Sequence, residues 1–519
     1  MATVIPPPSK RQKRENLELS STQQDVSEPT PDAGSFRARI LDDAGEPIID
    51  AVEIQFADAS EKNLSTLVNT YLGREQDDFL PYRFDIHLPG KDTIVGVFPS
   101  SLLSLLQQHG VTAASETIIT LSARPQAVFK VRIASRQLHK IRGHTQAILV
   151  CQWHPDTKIK RLATGSGDGT ARIWDGDSGT PTHTLKGHTS WVLDVRWSPD
   201  GTKLATGSMD GTVRIWDPQT GAPIGKAMTG HRGWVCSVAW QPYHLWRDGE
   251  GPRLASAGGG KDDNTVRTWL VNSGRVDHVF SCESGVTCVK WGGTDFVYAA
   301  SKDKTIRAWD AKAGTIVRHM KLHSHKVNHI ALSTDYVLRT GFFDPRSQSP
   351  PATEEEKVKI ARERFEKVAK KGDKVTELLA SASEDFTAAV WDPINMQDKK
   401  PIARLQGHQK AVNHLAISPD GTLLATCGWD NHAKLWNAKD GKFLHTLRGH
   451  VGTVYQCYFS ADSRMLVTSS KDTTLKIWDV RSGKMLKDLT GHEDEVWAVD
   501  LVGALVASGG KDTTVRIWT

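Results

Sequence analysis

Histidines and aspartates recur through this 519-residue chain at matched intervals: His144 and Asp168, His188 and Asp210, His408 and Asp430, His450 and Asp472, His492 and Asp512. An Asp that holds an imidazole can support general acid–base catalysis. Here the pairs recur unit after unit, and seven of the 20 His occupy such repeat positions. The Asp residues therefore read as structural repeats and not as paired catalytic acids. Two other chemistries fail on spacing. Ala257-Gly258-Gly259-Gly260-Lys261-Asp262 is rich in Gly but lacks the Gly-Lys-Ser/Thr order that cradles a phosphate. The six Cys, at 151, 236, 282, 288, 427 and 457, are scattered without a metal-ligand pattern. The chain is not expected to be an enzyme or to hold a cofactor of its own.

The elements behind those positions follow from tryptophan. Trp174, Trp216, Trp269, Trp309, Trp391, Trp436, Trp478 and Trp518 lie 40 to 53 residues apart, except for one interval of 82. Strand-forming units of 40–45 residues are the mark of a β-propeller. In the second unit, Gly187-His188 precedes an apolar run of Trp191, Val192, Leu193 and Val195. Pro199-Asp200-Gly201 supplies a turn, Leu204–Ser208 a second strand, and Asp210-Gly211 a tight turn into Val213–Asp217. This pattern resembles the WD40 repeat. The resemblance implies a hydrogen-bond network of His188, Asp210, Ser208 and Trp216, and for the fifth unit His325, Asp385 and Trp391. The fourth unit lacks the Gly-His pair. The expected fold class is mainly β, an eight-bladed WD40 propeller preceded by a small α+β ubiquitin-like domain. Because Thr519 follows the last Trp directly, the final blade lacks an outer strand. The alternating segment Val128–Ile133 is expected to supply it and so remove an exposed sheet edge.

Residues 1–34 are rich in Pro, Ser, Thr and Glu, a disordered composition. Within them Lys10, Arg11, Lys13 and Arg14 form a basic cluster. It reads as a nuclear import signal, with a weak RNA contact or a plain solvated tail as rivals. Residues 35–124 read as a folded domain. Phe36, Ala38 and Ile40 alternate, as do Val52, Ile54 and Phe56. Leu64, Leu67, Val68 and Tyr71 share a helix face, and Phe84–Leu88, Thr93–Phe98 and Thr117–Ser122 make further strands, with a short helix at Leu102–Leu106. That order suits a β-grasp or ubiquitin-like docking module. Residues 125–519 make the propeller, with an insertion at about 335–377. Net charge is only +5, which demands no nucleic acid globally. No signal peptide or membrane-length apolar run is present, so the expected protein is soluble and intracellular, with no membrane partner.

The whole architecture resembles the Notchless family of large-subunit ribosome-assembly proteins, of fungal type. Arg124–Arg132 is similar to the family's junction, and Val327–Tyr336 precedes a charged insertion as it does there. The resemblance implies a non-enzymatic factor of the pre-60S particle, located in the nucleus, nucleolus and nucleoplasm, and monomeric within a large complex. It implies partners among pre-60S ribosomal proteins, assembly factors and rRNA. It also implies that the ubiquitin-like domain docks on the metal-dependent adhesion site of Midasin, an AAA ATPase that remodels and releases the factor. Glu116 is the residue so assigned, completing the coordination of a Mg²⁺ held by the partner. Glu75, Asp77 and Asp78 are the rival carboxylates.

Residues 354–371 carry five Glu and seven Lys or Arg at helical spacings, with Ile360, Phe365 and Val368 as apolar anchors. Arg362, Lys370 and Lys371, with Arg346, Lys357 and Lys359, could meet rRNA phosphates or an assembly protein. A solvated helix is the bland rival. Two other functions fit a non-catalytic propeller. Trp478-Asp479-Val480-Arg481 matches a short motif of cullin-ligase substrate receptors, and a signalling scaffold is the second.

Overall fold

The structure is a computed structural model. It describes residues 35–42, 46–73, 82–87, 118–125, 131–247, 251–260, 263–344, 353–371, 374–396 and 400–519. The chain divides into two compact units, Met1–Gln126 and Ala127–Thr519.

In the first unit β1 (Ser35–Leu41) pairs antiparallel with β2 (Pro47–Gln55) and parallel with β4 (Ile118–Pro125), which pairs antiparallel with β3 (Tyr82–His87). The sheet order is therefore β2-β1-β4-β3. Helix α1 (Glu61–Tyr71) is capped by Ser60, whose side chain accepts the Asn63 N–H. Alternation places Phe36, Ala38 and Ile40 inside with Leu64 and Val68 of the helix. Tyr71 does not share that face: it is 66% exposed, and Asn69 is buried in its stead. The expected strand at 93–98 and helix at 102–106 lie outside the described residues.

The second unit is a propeller-like array of antiparallel sheets. Among the described residues seven sheets have four strands, and an eighth has three. In the three-stranded sheet the bridges Val213–Met228 and Trp216–Pro223 stand where an outer strand would pair. The first strands, such as Val192–Trp197, lie side by side with those of neighbouring sheets. Polar side chains stitch them together. Gln152 accepts the Trp197 N–H at 2.7 Å, Asp194 the Val238 N–H at 2.9 Å, and Asp500 the Trp153 N–H at 2.7 Å. Buried backbone donors need such partners. Each first strand carries a register shift just after its first residue, as between Val192 and Asp194. These bulges re-aim the third residue of each strand.

The outer strand of the last sheet is not the expected segment. It is β5 (Gln137–Ile141), paired with Val515–Trp518 through Ile141–Val515 and His139–Ile517. Residues 131–133 are described and form no strand. They serve as a strap instead. The Val131 N–H donates to Asp462 Oδ2 at 2.9 Å, and Val131 and Ala134 pack with Met465 and Leu489. Ser135 and Arg136 then both donate to the Thr519 carbonyl.

Candidate functional site

The recurrent His and Asp side chains form closed relays with a hydroxyl and a Trp. His144 Nδ1 meets Asp168 at 2.9 Å, its Nε2 meets Thr164 Oγ1 at 2.9 Å, and Trp174 Nε1 donates to that hydroxyl at 2.8 Å. The same four groups recur as His231, Asp263, Ser256 and Trp269, and as His492, Asp512, Ser508 and Trp518. Each relay imidazole is buried, and its hydroxyl partner also takes the Trp indole N–H, so the relay is closed within the blade. In the second unit the hydroxyl is Thr206 and not Ser208. The Ser208 side chain instead donates to the Trp191 carbonyl at 2.9 Å and accepts the Asp210 N–H. In the fifth unit the histidine is His323, bonded to Asp385 and Ser381. His325 lies two residues on, is exposed, and pairs with Glu384. The fourth unit replaces the imidazole with Arg307, which reaches Asp303 and Glu283.

These relays set an acid limit. Burial alone would raise the Asp210 carboxyl. Hydrogen bonds from Thr212, the Thr189 N–H and His188 overcome that and hold it at about 2. Asp430 is also held at about 2, against burial, by His408 and backbone N–H groups. Burial lowers His188 and His492, so both rings are neutral. Both shifts favour the fold above the ordinary pKa values, which are about 6.5 for His and 3.9 for Asp. The melting temperature is expected to decline gently below about pH 6.5 and steeply between about pH 4 and pH 2. Thermal melts across that range check this; an unchanged midpoint from neutrality to about pH 3 contradicts it.

The insertion is packed against the array. It contains α2 (Asp335–Thr340) and α3 (Glu354–Ala369). A capping box of Thr353 and Glu356 starts α3. Its buried face is Ala361, Phe365 and Ala369, with Ile360 and Val368 half-buried. Phe365 stacks on His244 at 4.8 Å. A Cβ on Gly293 would stand 2.0 Å from that ring, so only Gly permits the approach. Tyr243 donates to Glu354 at 2.5 Å, and Arg364 holds the Gly341 carbonyl and Thr340. Glu377 is buried, and accepts from the Gly293 N–H and from Thr334.

Of the cations expected to meet a partner, Arg362 is exposed on α3 and Lys370 is exposed at its C-cap. The backbone of Lys371 pairs with Lys374. Lys357 is engaged, at 2.6 Å from Glu354 and over the Phe342 ring. Glu116, Glu75, Asp77, Asp78, Arg346, Lys10, Arg11, Lys13 and Arg14 lie outside the described residues. Within the Trp478–Arg481 motif Trp478 and Val480 are buried, Asp479 accepts from Ser482, and Arg481 is exposed.

A second surface escapes the sequence reading. At the end of the array where the first strands begin, Trp191, Met209, Phe386, Trp429 and Val451 are exposed, Val451 by 85%. Trp191 precedes its strand instead of belonging to it. Met209 donates its N–H to the Trp191 carbonyl, and Asn431 reaches the Val451 carbonyl. The signal was available: these are apolar residues at turn positions just outside the strands, where burial gives no reason for them.

Comparison with known proteins follows this geometry. The family model "WD domain, G-beta repeat" matches residues 135–175, 179–217, 222–269, 274–310, 399–437, 441–479 and 483–519. The unmatched stretch from 311 to 398 contains the insertion. The chain is 60% identical over 443 residues to "Ribosome assembly protein 4" of Chaetomium thermophilum, covering 85% of this chain and 84% of the relative. It is 45% identical to the protein of that name in Saccharomyces cerevisiae, over 85% of this chain and 84% of the other. "Protein Notchless" of Drosophila melanogaster is 39% identical, over 79% of each chain. Among solved structures, the computationally designed Ika8 protein superposes with a TM-score of 0.57 at 22% identity, over 74% of this chain and 99% of that one. That likeness concerns the fold alone.

Proposed function

This chain belongs to the Notchless and ribosome assembly protein 4 family of WD40 proteins and is a non-enzymatic ribosome-assembly protein, and on that premise we propose that it acts on the pre-60S particle. The observation that carries this reading is the 60% and 45% identity to two proteins named for ribosome assembly, each over 85% of the chain. In this reading the second unit is a closed eight-bladed propeller that docks on pre-60S proteins and rRNA. The packing of Val496–Val502 against Ile148–Trp153 and the completion of the last sheet by β5 support closure. The first unit is a ubiquitin-like domain, as its parallel β1–β4 pair beside a helix suggests. The working place is the nucleus, nucleolus and nucleoplasm, with Lys10, Arg11, Lys13 and Arg14 as the import signal.

The docking partner of the first unit is Midasin, engaged through a Mg²⁺ that the partner holds. Among the described residues no group of three or more His, Cys, Asp or Glu could hold a metal. In this reading the chain supplies a single carboxylate, Glu116, to a metal that the partner coordinates. A hard dication accepts such an oxygen readily. The ATPase supplies the work, and the propeller transmits the pull to the particle.

The test is sedimentation. The tagged protein is expected to travel with pre-60S particles and to be scarce on mature 60S subunits. Its depletion is expected to lower free 60S relative to 40S subunits. A normal subunit ratio after thorough depletion counts against the function.

A further inference from the structure

The first strands of the second unit converge on a chamber of about 160 Å³. Liquid water occupies about 30 Å³ per molecule, so the space equals roughly five waters. The fifth residue of several first strands faces it: Arg196, Lys290 and Tyr458 all line the wall, and His414 stands at the third position of its strand. Helix α2 crosses one end. Its Asp335 lies 2.9 Å from Lys290 Nζ, and its Arg339 donates to Asp500 at 2.8 Å. Those two anchors sit on the fourth and the eighth sheets, so the helix is tied to both sides of the chamber.

The donors and acceptors of this chamber are unequal. Asp194, Asp335 and Asp500 are each committed, both to a cation and to a backbone N–H. Arg196 spends only its Nε on Asp194, at 3.0 Å. Its Nη groups carry no hydrogen bond among the described residues, although 28% of the side chain is exposed to the chamber. The Tyr458 hydroxyl also has no partner among the described residues, and burial keeps it protonated. His414 accepts the Cys457 N–H on Nδ1, which leaves its proton on Nε2. Lys290 has two further N–H groups beyond the one given to Asp335. Four donors, two cationic and two neutral, thus line one space, beside carboxylates that are already paired, Asp335 through its Oδ2.

We propose that this chamber is a binding site for a small oxyanion of the phosphate class, held by Arg196, Lys290, His414 and Tyr458. A guanidinium presents paired N–H groups that match two oxygens of a phosphate, and a phenol and an imidazole N–H complete the shell. A space of about 160 Å³ accommodates free phosphate, pyrophosphate or the phosphate of a small ester. Because Asp335 and Arg339 close one end, an occupied chamber would brace α2, and with it the insertion, against the array. The site is independent of the assembly role proposed above.

Calorimetric titration of the full chain with inorganic phosphate, pyrophosphate and glycerol phosphate tests this. Saturable one-to-one binding is expected, and the tightest of the three identifies free anion or ester as the source. Arg196→Met is expected to weaken binding about tenfold or more, and Tyr458→Phe about threefold to tenfold. Absence of saturable heat at millimolar concentration for all three probes overturns the site. So does an affinity in both variants unchanged from the natural chain, or a rise in melting temperature with phosphate that both variants share in full, which would mark general anion exclusion. If Arg196→Met does not fold, Tyr458→Phe decides alone, and unchanged affinity there overturns the proposal.

Discussion

Replacing Glu116 with Ala is expected to weaken Mg²⁺-dependent binding of the full chain to the adhesion-site domain of Midasin by about a hundredfold or more, near 2.7 kcal/mol. The change removes the one ligand this chain would bring to the metal. Glu116→Asp keeps the charge but shortens the reach by one carbon–carbon bond, about 1.5 Å. Octahedral Mg²⁺ tolerates little displacement of an oxygen, so most of the loss should appear there too. Chelation should weaken the unmodified complex to a similar level and add little to the Ala variant. On the particle, the variant should still dock through its propeller while remodelling stalls. Its overproduction should therefore be dominant, since it occupies sites without accepting the pull. Calorimetry with and without Mg²⁺ decides. Undiminished, metal-independent binding by the Ala variant moves the assignment to Glu75, Asp77 or Asp78, or ends the metal bridge.

The repeat was readable because Trp is rare and the hairpin turns are written in Asp and Gly. Details within the repeat went astray where a rule of thumb stood in for register. The family pattern of a strand Ser or Thr beside the turn Asp fits Ser208 as readily as Thr206. Yet Thr164 and Trp174, Thr206 and Trp216, Ser381 and Trp391, Thr426 and Trp436, Thr468 and Trp478, and Ser508 and Trp518 are each separated by ten residues. That fixed spacing, imposed by a hairpin of constant register, selects Thr206. Applied to the fifth unit it selects Ser381, although not the choice between His323 and His325. The chamber was not readable at all. Its donors come from separate first strands far apart in the chain, and only the packing of first strand on first strand brings them together.

The closing strand shows how apolar alternation misleads. Val128–Ile133 scores well by that measure, but the outer strand of a blade is mostly exposed, as the pattern over Gln137–Ile141 records. Its true signature is the repeat's own. His139-Lys140-Ile141-Arg142-Gly143-His144 aligns with His183-Thr184-Leu185-Lys186-Gly187-His188 and with His445-Thr446-Leu447-Arg448-Gly449-His450. In each, the first His bonds a carbonyl of the next turn, and the residue two places on is buried.

The position of β5 sets where truncation should destabilise the second unit. A chain beginning at residue 127 is expected to keep the melting temperature of the second unit, because the strap and β5 are both retained. A chain beginning at residue 143 loses the pairing with Val515–Trp518, the bond from Val131 to Asp462, and the two donors to the Thr519 carbonyl. The last sheet would then present three strands and an open edge, an invitation to association. The expected result is aggregation, or a fall in melting temperature of at least several degrees, since a few kcal/mol moves even a large domain by about that much. A chain beginning at residue 136 separates the two contributions: it keeps β5 and loses Val131 and Ala134, so it should melt between the others. Ile141→Ala makes the same point without deletion. Ile141 is 5% exposed and packs with Trp174, Val515 and Ile517, so the truncation should cost about 2–4 kcal/mol. If the chains beginning at 127 and 143 melt together, β5 contributes nothing, and the joining of the two ends of the array through the last sheet is not what holds it.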